Sequence, residues 1–125
     1  MVNNKMGDLT KNFNRAEYAC KCGCGRDNIK IELAASVQLV RDKLKRGIVI
    51  SSGIRCKAHN TAIKANPSSS HIDGFAADLA YKGSSERYQL LNAAMQVFDR
   101  VGIAKNFIHV DVDSTKSPEV IWLYT

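Results

Sequence analysis

The chain has 125 residues, 45% hydrophobic and 24% charged, the size and balance of one globular domain, which excludes a disordered chain. Its longest apolar runs fall far short of a bilayer's thickness, so a helical membrane protein is excluded too. A formal net charge of +6 favours an anionic partner such as cell wall, nucleic acid or an acidic membrane. The basic residues are scattered, without a run of five and without aromatic interleaving, so neither nucleic acid nor membrane is the expected partner.

Residues 1–12 read as a flexible polar lead-in, and 13–125 as a single domain with Phe13 and Tyr18 as its first hydrophobic anchors. The stretch Met1-Val2-Asn3-Asn4-Lys5-Met6-Gly7-Asp8 has no apolar core for a secretory signal, so the expected starting compartment is a cytoplasm. Cys20-Lys21-Cys22-Gly23-Cys24-Gly25 follows, with a further cysteine at Cys56. Four thiols can ligate a structural metal, although C-x-C-x-C lacks the two-residue gap of common zinc knuckles. A disulfide from Cys56 to one N-terminal cysteine, or free thiols in a reducing compartment, stand beside that reading. No local motif ties a histidine or acid to any of them, so the cluster reads as architecture and not as a nucleophile.

Ile29, Leu33, Val37, Val40 and Leu44 recur at helical spacing and predict a helix over 29–46, stopped at Gly47. Residues 48–52 are β-branched and predict a strand, and 58–65 a short helix broken by Asn66-Pro67. Residues 75–81 alternate, with Ala76, Asp78 and Ala80 on one face and Phe75, Ala77, Leu79 and Tyr81 on the other. A second long helix, capped by Ser84 or Ser85, carries Leu90, Leu91, Ala94, Val97, Phe98 and Val101 and ends at Gly102. Strand 107–113 then places His109, Asp111 and Asp113 on one face, and strand 120–124 is expected to pair back on it.

The chemistry concentrates in Ser69-Ser70-His71-Ile72-Asp73-Gly74-Phe75-Ala76-Ala77-Asp78 and in Phe107-Ile108-His109-Val110-Asp111. Two histidines and an aspartate are the ligand set of a catalytic zinc ion, which leaves one coordination position for water. Small Ala76 and Ala80 leave room beside Asp78 for an ion or substrate.

The first of these stretches resembles the S-x-H-x-x-G-x-A-x-D signature of the D-alanyl-D-alanine carboxypeptidase-like zinc peptidases, peptidase family M15. Ser52-Gly53-Ile54-Arg55-Cys56 with His59-Asn60 resembles that family's S-G-[YF]-R-C…H-N segment, and Phe107-Ile108-His109-Val110-Asp111 its closing F-x-H-x-D. Tyr18-Ala19-Cys20-Lys21-Cys22-Gly23-Cys24-Gly25 resembles the front of its short, phage-endolysin-like subgroup. The resemblance implies an α+β fold, a small antiparallel sheet with flanking helices of the hedgehog and D-Ala-D-Ala-peptidase type. It implies zinc (Zn2+) on His71, Asp78 and His109, with Arg55 binding the substrate carboxylate or oxyanion and Ser69 ordering the adjoining loop.

Many relatives place a carboxylate three residues before the last histidine; Asn106 stands there, and an amide cannot take up a proton at neutral pH. Asp111 is the candidate base, with a second role as an acceptor orienting a ligand histidine equally open, and Asp73 is the reserve. Ile54 replaces an aromatic, and Asp113 stands where a basic residue is common. The expected function is zinc-dependent hydrolysis of amide bonds in peptidoglycan peptides by a monomer made in the cytoplasm, acting on the wall in phage lysis or tail delivery. The alternative is a non-catalytic zinc domain that binds the wall.

Overall fold

The computed structural model describes residues 6–124. Its centre is a five-stranded sheet built from β1 (Ile50–Ser52), β2 (Ala76–Ala80), β3 (Arg100–Ile103), β4 (Phe107–Asp111) and β5 (Val120–Leu123), in the order β1-β2-β4-β3-β5. The pairings are antiparallel except for β5, which runs parallel to β3. Helices α1 (Ile31–Leu44), α2 (Lys57–Ala62) and α3 (Gly83–Met95) complete an α+β fold.

Leu33, Val37 and Val40 of α1, with Leu90 and Ala94 of α3, share one hydrophobic cluster with Ala77 and Leu79 of β2 and Ile108 and Val110 of β4. Each such side chain, fully withdrawn from water, contributes roughly 1.5–3 kcal/mol. Because side chains alternate along a strand, that packing turns Asp78, His109 and Asp111 to the opposite face. Burying one face of β2 and β4 therefore fixes where the polar residues point.

Several boundaries differ from the sequence reading. Residues 1–5 of the expected flexible lead-in lie outside the described residues. From Gly7 onward the lead-in is turned and docked, since the Thr10 hydroxyl and the Asn12 amide both donate to Gln38 Oε1 of α1 at 2.9 Å. Helix α1 stops at Leu44, where Lys45 takes a left-handed conformation (φ 61°) and donates its N–H to Arg41 O, so Gly47 is not the terminator. Lys82, not Ser84 or Ser85, occupies the N-cap position of α3.

The larger correction concerns residues 96–103. Helix α3 ends at Met95, and Val101 and Gly102 belong to the unanticipated strand β3. Val97 and Val101 fit a helical spacing while Val101 and Ile103 fit a strand, and β pairing with β4 decides between them. This strand also separates β5 from β4: β5 pairs with β3, not with strand 107–113 as expected.

One row of residues runs across the sheet: Ser52, Asp78, His109, Gly102 and Trp122 are successive partners from β1 to β5. Gly102 is required there because a Cβ would stand 2.6 Å from Trp122 Nε1 and 2.7 Å from Tyr124 Cε1. Its missing side chain lets Trp122 of β5 and Tyr124 just beyond the strand lie across the sheet towards His109.

Candidate metal centre

Antiparallel pairing sets Asp78 of β2 directly opposite His109 of β4, and the loop before β2 supplies His71. Asp78 Oδ1 lies 3.2 Å from His71 Nε2 and 3.0 Å from His109 Nδ1, and all three residues are buried. The far nitrogens are held as well: His71 Nδ1 is 2.7 Å from Gly53 O, and His109 Nε2 is 2.8 Å from Asp111 Oδ2. Acceptors at the far side fix each neutral ring in the tautomer whose N–H points away from the centre. The near nitrogens then present lone pairs to one another and to a carboxylate.

Three electron-pair donors within 4.8 Å of one another repel unless a cation lies among them, and this donor set fits a zinc ion with one position left open. The acceptors at Gly53 and Asp111 do what outer partners of metal-bound histidines do, fixing tautomer and ring orientation. Without metal, protons are the substitute cation. Burial opposes charge on His109, but hydrogen bonds to Asp111 and Asp78 prevail and raise its pKa. Burial likewise works against ionised Asp78, yet the hydrogen bonds from His109 and His71 hold its pKa well below the usual carboxylate range.

Asp111 is 1% exposed. Its Oδ2 faces His109, while its Oδ1 accepts from Arg100 Nε at 2.7 Å and from the Asp113 amide at 3.1 Å. Burial raises its pKa, but His109 and Arg100 lower it further, so the net shift is downward. Both oxygens of the candidate base are thus engaged by donors. Asp73, the reserve, borders a separate depression with Lys57 and Ser68. Asn106 lies in the turn between β3 and β4, where its carbonyl accepts from the Tyr81 amide.

Arg55 stands at the rim with side-chain exposure of 11%, its Nη2 3.5 Å from Asp78 Oδ2. Its guanidinium also donates to Ser52 Oγ at 3.3 Å, Asn60 Oδ1 at 3.1 Å and Ser69 Oγ at 3.4 Å. Ser69 Oγ in turn accepts from the His71 amide at 3.2 Å, so one hydroxyl ties the histidine loop to the arginine. Asn60 also donates to Asn66 O, which makes it a brace, and Ile54 is fully buried in the core. Asp113 is buried below the loop, accepting from the Ser70 and Thr115 hydroxyls.

In front of the centre is a cleft of about 360 Å³, whose wall includes Arg55, Asn66, Arg100, Lys116, Trp122 and Tyr124. A larger depression of about 680 Å³ lies beyond Arg100 and Asp111 but reaches none of His71, Asp78 and His109, so the chemistry belongs to the smaller cleft. The Trp122 ring is 5.2 Å from that of His109, and the Arg100 guanidinium stacks over the indole at 5.1 Å. Burial and the charge of Asp78 push the Tyr124 phenol up, keeping it an O–H donor at neutral pH.

Arg100, Trp122 and Tyr124 escaped the sequence reading. Arg100 was hidden by the assignment of its segment to α3. The aromatics were placed in a strand paired with β4, where nothing indicated that they reach across a glycine.

A buried imidazole–carboxylate–imidazole set at the floor of a cationic cleft is a candidate metal-binding site. A family model described as Peptidase M15 matches residues 10–111, a span that contains Arg55, His71, Asp78, His109 and Asp111. The chain belongs to the peptidase M15 family and is a metallopeptidase. Members of this family are typically zinc-dependent. Comparison with curated proteins yields no match.

Proposed function

We propose that this metallopeptidase uses zinc to hydrolyse amide bonds in the stem peptides or cross-bridges of bacterial peptidoglycan, acting as a monomer on the wall in phage lysis or tail delivery. The observation that carries the reading is the convergence of His71 Nε2, Asp78 Oδ1 and His109 Nδ1 at the floor of the cleft. A zinc ion held there supplies a polarised water and a Lewis-acid contact for the scissile carbonyl.

The rest falls to the chain's own groups. Arg55, braced by Ser52, Asn60 and Ser69, offers a preorganised fork to a substrate carboxylate or to the developing oxyanion. Arg100 and Lys116 extend the positive wall, which suits the carboxylates of wall peptides. Asp111 acts as a positioning residue that holds the His109 ring, since both of its oxygens are already engaged. Trp122 and Tyr124 close one side and exclude water.

No helix among the described residues is long and apolar enough to cross a membrane, and the site's chemistry calls for neither a lipid nor a nucleic acid. Incubating the zinc-loaded protein with isolated murein should solubilise it and release new amino termini, and His109→Ala should abolish the release. Intact murein, with zinc demonstrably bound, defeats the proposal.

One observation favours the second reading, a non-catalytic zinc domain. Among the described residues lining the cleft, the carboxylates are Asp78 and Asp111, and both are committed. Stoichiometric murein binding without released amino termini is its signature.

A further inference from the structure

On the side of the domain that carries the Arg55 loop, Cys20, Cys22, Cys24 and Cys56 bring their four Sγ atoms within 4.8 Å of one another. We propose that these four thiols hold a second, structural zinc ion, separate from the catalytic centre. In tetrahedral tetrathiolate zinc the bond length of about 2.3 Å places neighbouring sulfurs about 3.8 Å apart. Cys20 Sγ and Cys22 Sγ are 3.4 Å apart, and Cys22 Sγ and Cys56 Sγ are 3.6 Å apart, so little movement closes the site around an ion.

The backbone is already arranged to support metal-bound sulfur. The Cys56 amide donates to Cys20 Sγ at 3.4 Å, and the His59 amide donates to Cys56 Sγ at 3.3 Å. Such N–H···S bonds favour thiolate, the form that binds metal. Gly23 and Gly25 take left-handed conformations (φ 85° and 88°), which lets three alternate cysteines of one short turn face a common centre. Cys20 is buried, Cys56 half-buried, and Cys22 and Cys24 exposed, a knot at the surface rather than a packed core. Four soft sulfur ligands select zinc over magnesium, calcium or manganese.

The position gives the ion a task. Cys56 directly follows Arg55, and Gly53, whose carbonyl holds His71, lies three residues before Cys56. The Ile54 amide donates to Tyr18 O at 2.8 Å, and the Arg55 amide to His71 O at 3.0 Å. A metal joining residues 20–24 to Cys56 therefore pins the loop that carries both the substrate arginine and the acceptor for a catalytic ligand.

The inference stands apart from the peptidase reading because metal is counted without an activity assay. The full chain, expressed with zinc and purified without chelator, should carry about two zinc ions, one per tetrahedral site. The double variant His71→Ala/His109→Ala should retain one, and in cobalt(II)-exchanged form should show strong sulfur-to-metal charge-transfer absorption. Cys22→Ser/Cys24→Ser should likewise retain one, without that absorption. If that variant fails to fold, titrating wild-type thiols with a mercurial should still release one zinc as the four cysteines react. A histidine double variant without zinc, iron in place of zinc, or an intact mass lower by four hydrogens from two disulfides overturns the proposal.

Discussion

Replacing Asp111 by Asn separates the two roles open to this carboxylate. Asp111 accepts from His109 Nε2 at 2.8 Å and from Arg100 Nε at 2.7 Å while nearly inaccessible to solvent. An asparagine has one acceptor oxygen and one donor amide at this end, so either the His109 N–H or the Arg100 N–H meets another donor. Losing one such charged hydrogen bond costs about 1.5–3 kcal/mol of stability. In the proposed site the ring held by Asp111 supplies a zinc ligand, so zinc affinity should fall about 10- to 100-fold. Chelator competition measures that affinity, and turnover is then compared at zinc concentrations saturating both proteins. If Asp111 positions His109, saturating zinc restores most of the turnover. If zinc affinity stays within about twofold while turnover drops by about 10²–10⁴, the range for a lost general base, the positioning argument is refuted.

Arg55→Ala should lower turnover about 10²–10³-fold, the range for removing one oxyanion donor, while leaving the bound zinc in place; steady-state kinetics with metal counting tests this, and a loss below threefold removes Arg55 from the chemistry. Gly102→Val should destabilise the fold by about 1–3 kcal/mol through overpacking, because its Cβ would meet the Trp122 indole at 2.6 Å; urea denaturation gives the value, and wild-type stability would show that the indole moves away freely. Trp122 is the chain's only tryptophan and lies 5.2 Å from His109, so zinc binding should change its fluorescence and His109→Ala should abolish the change. For the metal-free domain, the lowered pKa of Asp78 and Asp111 adds stability above about pH 4 that is lost on acidification, whereas the raised pKa of His109 adds stability below about pH 6.5 that is lost as pH rises through its folded value. Its melting temperature should therefore peak between roughly pH 4 and 6.5, and a melting temperature that keeps climbing through pH 8 contradicts the proton-for-metal substitution.

The layout of β2 and β4 was legible because burial of one face leaves an alternation that sequence displays directly. Leu79 and Ile108 go inward, so Asp78 and His109 must share the other side. Helix α1 was legible for the same reason at helical period, although its end depends on a left-handed lysine that no propensity favours. Strand β3 was not legible, since Val101 satisfies both periods and only pairing with β4 resolves them. That one ambiguity concealed the position of β5, the stacking of Arg100 on Trp122 and the aromatic wall of the cleft.

The same strand explains why the candidate base reads differently once its neighbours are known. In sequence, Asp111 stands two residues beyond His109 on the same face, a placement equally suited to a base and to an orienting acceptor. Arg100, delivered by β3 to Asp111 Oδ1, binds the oxygen that His109 leaves over. With positive charge on one oxygen and an imidazole N–H on the other, the carboxylate is kept ionised and lowered in basicity, which weakens it as a proton acceptor and strengthens it as an anchor. The arginine lost from view in the sequence thus supports the anchoring role proposed for Asp111, and Arg100→Ala becomes informative: freeing Oδ1 should loosen His109 and lower zinc affinity. If Asp111 were the base instead, restoring its basicity would leave zinc affinity near that of the wild type and raise turnover at saturating zinc above it.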